Sequence, residues 1–200
     1  VPFDLQINPN PIANTAPDLV SCDDDFDGFF EFDLTANTNF VLGAQSAASF
    51  TVTYYNDVTN AESGSNSLGG LHAAFDGEVI YARIENNSTG CYAVSQYAAR
   101  INPLPVIPID DVVPLCINDL PLIINADTGN IGDTYLWSTG ETSTQILLND
   151  PADIGDYWVS VTTPNVIGND CEYTKNFTVI ESEFLIKDKE SETLLIESLS

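Results

Sequence analysis

The sequence predicts an all-β chain built of two tandem antiparallel β-sandwich domains, and two observations support this prediction. Short segments rich in β-branched and aromatic residues recur along the chain, and turn residues separate them at intervals of about ten, which is typical of a β-sandwich. A proline-rich motif and a cysteine also recur with the same spacing, which indicates that one structural unit is repeated.

The strand prediction rests on local residue patterns. Phe50–Tyr55 and residues 79–84 show the partial alternation of half-buried strands, and residues 91–101 form a longer segment of the same kind. Five segments of the second half read likewise: 120–124, 135–137, 144–148, 157–161 and 176–180. Only residues 36–48 could hold a short helix. Residues 61–70 are rich in Ser, Gly and Asn and are predicted to form a loop with little to bury.

The repeat fixes the predicted domain organisation. Ile7-Asn8-Pro9-Asn10-Pro11 returns as Ile101-Asn102-Pro103-Leu104-Pro105, and Cys22 returns as Cys116, both at an offset of 94 (101 − 7 and 116 − 22). This unit is much longer than the roughly 20–45 residues of a solenoid repeat, so separate domains are expected. The predicted segments are the end of a preceding module or a linker strand (1–12), the first domain (13–105), the second domain (106–181), and a tail or the start of another module (182–200).

A predicted corner in the second half refines the fold class. In Asp153-Ile154-Gly155-Asp156-Tyr157 the glycine permits a turn, and the tyrosine hydroxyl can bond back to the corner backbone, as in immunoglobulin-like sandwiches. Trp137 follows Cys116 by 21 residues (137 − 116), about where such a sandwich places its core tryptophan. An antibody domain would have a cysteine at position 159, but this chain has Val159. Both domains are therefore predicted to be immunoglobulin-like, without belonging to the antibody family.

The charge excludes several classes of partner. The chain has 30 Asp and Glu residues against 5 Lys and Arg, a net charge of −25, so nucleic-acid phosphates and anionic lipids should repel it. Hydrophobic residues make up 44% of the sequence, which is too many for a disordered acidic tail. No segment approaches the roughly 18 apolar residues of a membrane helix, so membrane insertion is not expected.

The cysteines indicate the compartment. Cys22, Cys91, Cys116 and Cys171 allow three pairings, and we favour 22–91 with 116–171 because each bond then lies within one predicted domain. Four free thiols are the alternative. There is no C-x-x-C pair, so a zinc site is not expected. Disulfides point to an extracytoplasmic location. Residues 1–4 lack the features of a signal peptide, so the chain is expected to be a mature or internal piece of an exported protein.

An acidic segment is the predicted metal site. Carboxylates at alternate positions followed by a glycine can wrap oxygens around one hard cation, and the oxygen-only ligand set favours Ca²⁺ over Mg²⁺. Because Leu34 occupies the twelfth position of the loop, the EF-hand pattern is incomplete, and a further ligand would come from Glu31 or Asp33 or from elsewhere. A solvated acidic turn is the alternative. The predicted ligands are Asp23, Asp25, Asp27, Glu31 and Asp33.

Other candidate sites carry weaker signals. Asp110 and Asp111 could bind calcium between the domains or simply be solvated. With His72 as the only histidine, a Ser-His-Asp arrangement has little basis, and no enzyme is predicted. Five aromatic residues could form a sugar-stacking platform, although strand alternation favours core packing for many of them. They are Tyr54, Tyr55, Tyr92, Tyr97 and Trp158.

Several motifs together resemble those of a known family. Residues 22–34 (CDDDFDGFFEFDL), Phe50–Tyr55, residues 80–86 with 90–92, and residues 101–105 resemble a repeat of very large secreted surface proteins of gliding Bacteroidetes. Residues 136–142 with 155–159 resemble the immunoglobulin- or PKD-like module that often accompanies it. The resemblance implies export by the type IX secretion system, a location at the outer cell surface, and a role in adhesion and gliding motility.

These observations predict a non-catalytic extracellular adhesin or spacer fragment of tandem immunoglobulin-like modules, of which the first binds Ca²⁺. Its predicted partners are neighbouring modules of the same array, with surface glycans or other cell-surface proteins outside it. The alternative is a carbohydrate-binding accessory region of a secreted polysaccharide-degrading enzyme.

Overall fold

The computed structural model describes residues 9–182, 185–187 and 194–196. The chain divides into two compact units, Val1–Leu104 with Asn165–Asn169, and Pro105–Pro164 with Asp170–Ser200. The domain limits expected from the sequence, 13–105 and 106–181, remain predictions. Residues 1–8 of the predicted leading segment and most of the predicted tail lie outside the described residues. Within that tail, β13 (Leu185–Lys187) and β14 (Leu194–Ile196) pair antiparallel.

The first unit consists of six strands with three short helical segments between them. The helical segments are a 3-10 turn (Leu34–Asn37), α1 (Thr38–Leu42) and α2 (Val58–Ser63). The strands are β1 (Leu19–Cys22), β2 (Phe29–Asp33), β3 (Phe50–Tyr55), β4 (Leu71–Phe75), β5 (Val79–Asn86) and β6 (Tyr92–Asn102).

Two sheets enclose the core of the first unit. One sheet has the order β1-β6-β5-β3, in which β1 runs parallel to β6, and the other pairs β2 with β4. Alternation along the strands points one side of each sheet inward. Phe32 and Ala74 from the small sheet join Ile84 and Ala99 from the large sheet in one buried cluster. This shared core makes the unit a β-sandwich.

Helix α2 corrects the start of the predicted loop over residues 61–70, because the helix extends to Ser63. Ala61 is fully buried. The Asp57 carboxylate accepts a hydrogen bond from the Asn60 N–H at 2.9 Å, which caps the start of the helix. Gly64, with a φ of 70°, ends it. Buried Arg83 donates from Nη1 to the Ala61 carbonyl at 2.9 Å, so a contact distant in sequence holds this short helix in place.

The second unit repeats this strand arrangement. A 3-10 turn (Ile117–Asp119) follows its first strand. The strands are β7 (Val112–Leu115), β8 (Leu122–Asn125), β9 (Thr134–Trp137), β10 (Gln145–Leu148), β11 (Gly155–Thr163) and β12 (Cys171–Glu181). Its large sheet has the order β7-β12-β11-β9, with β7 parallel to β12, and its small sheet pairs β8 with β10.

Two features of the second unit confirm its predicted immunoglobulin-like character. The Tyr157 hydroxyl donates to the Asp153 carbonyl at 3.1 Å, which forms the expected tyrosine corner. Trp137 lies on β9 and is 1% exposed, and its ring meets that of Phe177 edge-on with the centroids 6.4 Å apart. The all-β fold of two tandem sandwiches is therefore confirmed, with the difference that each first strand pairs parallel rather than antiparallel.

Within the part of the chain that the structure describes, every helix falls short of the length and apolarity that crossing a bilayer would require.

Candidate metal centre and disulfide

The acidic segment forms the loop between β1 and β2 in the first unit. Cys22 is the last residue of β1, and the loop returns the chain at Phe29. Two residues of the loop have a left-handed backbone, Phe26 with a φ of 68° and Gly28 with a φ of 79°. The glycine has no Cβ to oppose this conformation, which explains its place in the motif.

Backbone hydrogen bonds hold the three loop aspartates close together. Asp23 is buried, and its carboxylate accepts from the N–H groups of Asp25 (3.2 Å), Phe26 (3.0 Å) and Gly28 (3.1 Å). Asp25 accepts from the Asp27 N–H at 3.1 Å, and Asp27 accepts from the Phe29 N–H at 2.7 Å. Asp23 thus shapes the loop, while Asp25 and Asp27 are exposed to solvent.

The spacing of these carboxylates fits a single cation. One oxygen from each of Asp23, Asp25 and Asp27 lies within 4.8 Å of the others. Two oxygens bound to the same Ca²⁺ at about 2.3–2.6 Å can be at most about 4.6–5.2 Å apart, so the three are compatible with one ion. The remaining ligands of a six- to eight-coordinate ion would be waters or backbone carbonyls.

Charge repulsion within the loop acts on the carboxyl group of Asp25. The hydrogen bond from the Asp27 N–H lowers the pKa of Asp25, but partial desolvation and the negative charge of Asp27 outweigh it. The pKa of Asp25 is therefore raised above its ordinary value. A bound cation would relieve this repulsion.

Glu31 and Asp33, the other two predicted ligands, are not part of the cluster that the described residues form. Both are exposed on the outer side of β2, where alternation with buried Phe32 directs them. Asp33 has a different role, because its carboxylate accepts from the Thr35 N–H at 2.9 Å and caps the 3-10 turn.

The disulfide pairing corrects the prediction of one bond within each domain. Cys22 and Cys171 form the disulfide, whereas Cys91 and Cys116 are free thiols. Cys22 belongs to the first unit and Cys171 to the second, so the bond links the two units covalently.

Strand register explains why neither predicted bond forms. Cys22 pairs with Asn102 at the end of β6, while Cys91 immediately precedes the start of that strand. Eleven residues of strand separate these ends (102 − 91), or roughly 36 Å at about 3.3 Å per residue. Leu115 likewise pairs with Glu181 at the far end of β12 from Cys171. A disulfide requires Cα atoms within about 7 Å of each other.

Three of the five aromatic residues are buried, so they are not available to stack on a sugar. Tyr54, Tyr55 and Tyr97 are buried in the first unit. Tyr92 is partly exposed there, and the guanidinium of Arg83 lies 3.6 Å from the centre of its ring. Trp158 belongs to the second unit and is 37% exposed.

Trp158 borders a surface pocket of about 350 Å³ in the second unit. Its polar lining includes Asp111, Asp156 and Asn176. Asp111 pairs with Lys175, and the hydrogen bond from this ammonium together with its charge lowers the pKa of Asp111. This ion pair gives Asp111, one of the two predicted linker acids, a partner within the protein.

His72 has a structural contact. Its Nε2 lies 2.9 Å from Oε1 of Glu78, and both side chains are largely buried.

One family model matches part of the chain. Residues 18–105 match the model described as the Flavobacterium inter-domain disulphide bond domain. The match covers 88 residues (105 − 18 + 1) of 200, less than half of the chain. Cys22 lies inside the matched residues and Cys171 outside them, which agrees with the family's description. These findings support the resemblance to flavobacterial immunoglobulin-like tandem modules.

Several solved structures are similar to the chain. The chain is 11% identical to Sidekick-1 immunoglobulin domains 1–4, with a TM-score of 0.29, and covers 88% of its own length and 52% of the other. It is 15% identical to a variant of titin domains I67–I69 (TM-score 0.33), covering 86% and 64% of the two chains.

A third similar structure is SGBP-B of the Bacteroides ovatus mixed-linkage glucan utilization locus, in complex with a mixed-linkage heptasaccharide. It is 13% identical with a TM-score of 0.24, and the alignment covers 88% of this chain and 46% of that one. The chain thus spans less than two thirds of the length of each of these three structures. TM-scores this low carry no argument about function. No curated protein is significantly similar to the chain.

Proposed function

We propose that this chain is a non-catalytic spacer segment of an extracellular adhesin, exported by the type IX system to the surface of a gliding bacterium. The observation that carries the proposal is the covalent bond between Cys22 and Cys171, which joins two units of the same strand order. Such a bond persists in an oxidising compartment. A repeated sandwich linked in this way suits a protein that extends from a surface and bears load.

The composition supports the same role. A net charge of −25 on a folded chain favours solubility and opposes nonspecific association. The proposed partners are neighbouring modules of the same array, together with surface glycans or other cell-surface proteins.

Labelling of intact cells tests the proposal. Antibody fragments raised against the whole chain should bind unbroken cells of the source organism and reduce their attachment to a surface. Antibody fragments against an unrelated surface protein are the control, since they show whether covering the cell surface with fragments is enough to reduce attachment. Binding that requires cell lysis would contradict an extracellular role, and unchanged attachment despite full labelling would contradict adhesion.

We also propose that the β1–β2 loop binds Ca²⁺ through Asp23, Asp25 and Asp27. The three carboxylates have a spacing compatible with one ion, and the negative charge of Asp27 contributes to the raised pKa of Asp25. At a calcium concentration about 100 times the dissociation constant, binding would stabilise the folded first unit by about 2.7 kcal/mol. Its thermal unfolding midpoint should therefore rise by several degrees with calcium and fall again with a chelator.

Single-residue variants can distinguish loss of calcium binding from disruption of the β1–β2 loop. Asp25→Asn should abolish the calcium-dependent shift, since this exposed carboxylate accepts a single backbone hydrogen bond. Asp23 is unsuitable for the test, because its three backbone hydrogen bonds support the loop itself. Glu31→Gln is the matched control and should keep the shift. A midpoint insensitive to calcium and chelator in the wild-type chain would identify the loop as a solvated turn.

A second candidate function is carbohydrate binding, favoured by the half-exposed Trp158 beside the polar pocket. An aromatic face can stack on a sugar ring, and Asp156 and Asn176 could accept or donate hydrogen bonds to its hydroxyls. A glycan array with the whole chain would show saturable binding that Trp158→Ala abolishes. Phe75→Ala, which alters an exposed aromatic residue of the first unit, should leave it unchanged. If Trp158→Ala binds as the wild type does, the pocket is not a sugar site.

A further inference from the structure

The pocket beside Trp158 includes part of the outer face of the large sheet in the second unit. Val159 on β11 is buried in the core, so the alternating residues Asp156 and Trp158 point outward. Across β11 and β12, Asn176 is directly opposite Trp158. Thr178 is opposite Asp156 in the same way. All four outward side chains line the pocket, and we call them the outer-face patch: Asp156, Trp158, Asn176 and Thr178.

The two acidic residues of the pocket differ in their partners. Asp111 forms an ion pair with Lys175, so a positive charge of the protein already balances it. Asp156 accepts a hydrogen bond from the Thr178 hydroxyl at 2.8 Å, and this partner is neutral. Because Asp156 is exposed, its other carboxylate oxygen can accept a hydrogen bond from a ligand. Asp156 therefore gives the patch a negative charge that Thr178 does not balance.

This charge lies close to the aromatic surface of the patch. Asp156 and Trp158 are two residues apart on one strand, so their Cα atoms are separated by about 7 Å. A sugar ring stacked on the indole would place its substituents within reach of the carboxylate. An ammonium substituent would donate a charge-assisted hydrogen bond to Asp156, which is stronger than the bond from a hydroxyl. The indole face also attracts a cation.

We propose that the pocket binds a sugar with a free amine, whose ring stacks on Trp158 and whose ammonium group pairs with Asp156. A neutral sugar would lack the ion pair, and the carboxylate of a uronic acid would be repelled by Asp156. The inference rests on the carbohydrate-binding function proposed above, and it adds the charge of the sugar that is bound.

Two oligosaccharides of equal length test the proposal. A chitosan oligosaccharide and a cellulose oligosaccharide have the same linkage, and they differ in whether the second carbon of each ring carries an ammonium or a hydroxyl group. Calorimetric titration of the whole chain uses weakly acidic buffer, in which sugar amines are protonated. About 0.15 M salt screens charges more than about 8 Å apart. We expect the chitosan oligosaccharide to bind about fivefold more tightly, or about 1 kcal/mol, the upper end for an exposed ion pair.

A matched pair of variants separates the patch from the charge of the whole chain. With a net charge of −25, the chain attracts a cationic sugar over much of its surface. Asp156→Asn removes the proposed charge, keeps an acceptor for the Thr178 hydroxyl, and should make the two affinities equal. Glu62→Gln removes one exposed charge from the first unit and should keep the preference. Equal effects of the two variants would mean nonspecific attraction and would overturn the proposal.

The remaining outcomes distinguish this inference from the function on which it rests. If the wild type binds both oligosaccharides equally and Trp158→Ala abolishes both, the pocket binds sugars regardless of charge, and the inference alone fails. If neither oligosaccharide binds, the inference fails, and the glycan array decides whether the carbohydrate function fails with it. A lysine oligomer presents ammonium groups on a peptide. If it binds more tightly than the chitosan oligosaccharide, the ligand is a basic peptide and the proposal is overturned.

Discussion

When the chain is pulled from its two ends, reduction of the Cys22–Cys171 disulfide is expected to lengthen the fully unfolded molecule by roughly 500 Å. The bond closes a loop of 149 residue-to-residue steps (171 − 22), which cannot be extended while the bond is intact. Each step contributes about 3.3–3.6 Å when the chain is extended. Strands β2 to β11 lie entirely inside this loop. With the bond intact, the pulling force passes through the two sulfur atoms, so it does not extend strands β2 to β11.

Single-molecule extension with and without reductant measures this effect. The variant Cys22→Ser/Cys171→Ser should show the full length without reductant. Cys91→Ser/Cys116→Ser, which removes only the free thiols, should behave as the oxidised wild type does. The same variants can be compared by denaturation, where a loop of this size contributes about 5 kcal/mol in the chain-entropy model. Equal extension in the oxidised and reduced wild type would show that the pulling force does not pass through the disulfide.

Replacing Trp137 by alanine should destabilise the second unit by about 3–5 kcal/mol, the range for removing a large buried aromatic side chain. Trp137 is among the largest fully buried side chains of the described residues. Its indole Nε1 donates to the Ser143 carbonyl at 2.7 Å, and its ring packs against Phe177. The substitution would leave a cavity and an unpaired carbonyl in one step.

Urea denaturation followed by tryptophan fluorescence suits this measurement, because both tryptophans of the chain belong to the second unit. Trp158 remains as the probe in Trp137→Ala. In the control Trp158→Ala, Trp137 reports instead, and the loss of stability should be smaller than in Trp137→Ala, since the side chain of Trp158 is 37% exposed. Comparable losses in the two variants would mean that Trp137 does not anchor this core.

Many of the strands could be predicted because each of these carries its own signal, whereas β2 and β4 were not among the predicted strands. The segment Phe50–Tyr55 matches β3 in full, and the inward and outward alternation of Tyr135, Leu136 and Trp137 in β9 follows from the period of two. The tyrosine corner could be predicted too, since all its parts lie within five residues. Helix α2 was missed because its six residues depend on Arg83, more than 20 positions away.

The disulfide could not be predicted from domain limits alone. Placing two cysteines in one domain says nothing about their distance, and the parallel pairing of β1 with β6 puts Cys22 and Cys91 at opposite ends of a long strand. No local pattern indicated this parallel pairing. The clustering of Asp23, Asp25 and Asp27 could be predicted, since their spacing brings them together in one turn. Glu31 and Asp33 lie beyond that turn, where strand geometry decides their direction.

The parallel pairing of first and last strand gives each unit a particular resistance to tension once the disulfide is open. The chain enters a unit at the start of β1 or β7 and leaves it at the end of β6 or β12. Because these neighbouring strands point the same way, pulling on the two ends slides one strand along the other. The hydrogen bonds between them are then loaded in shear, all at once, rather than opened one after another like a zipper.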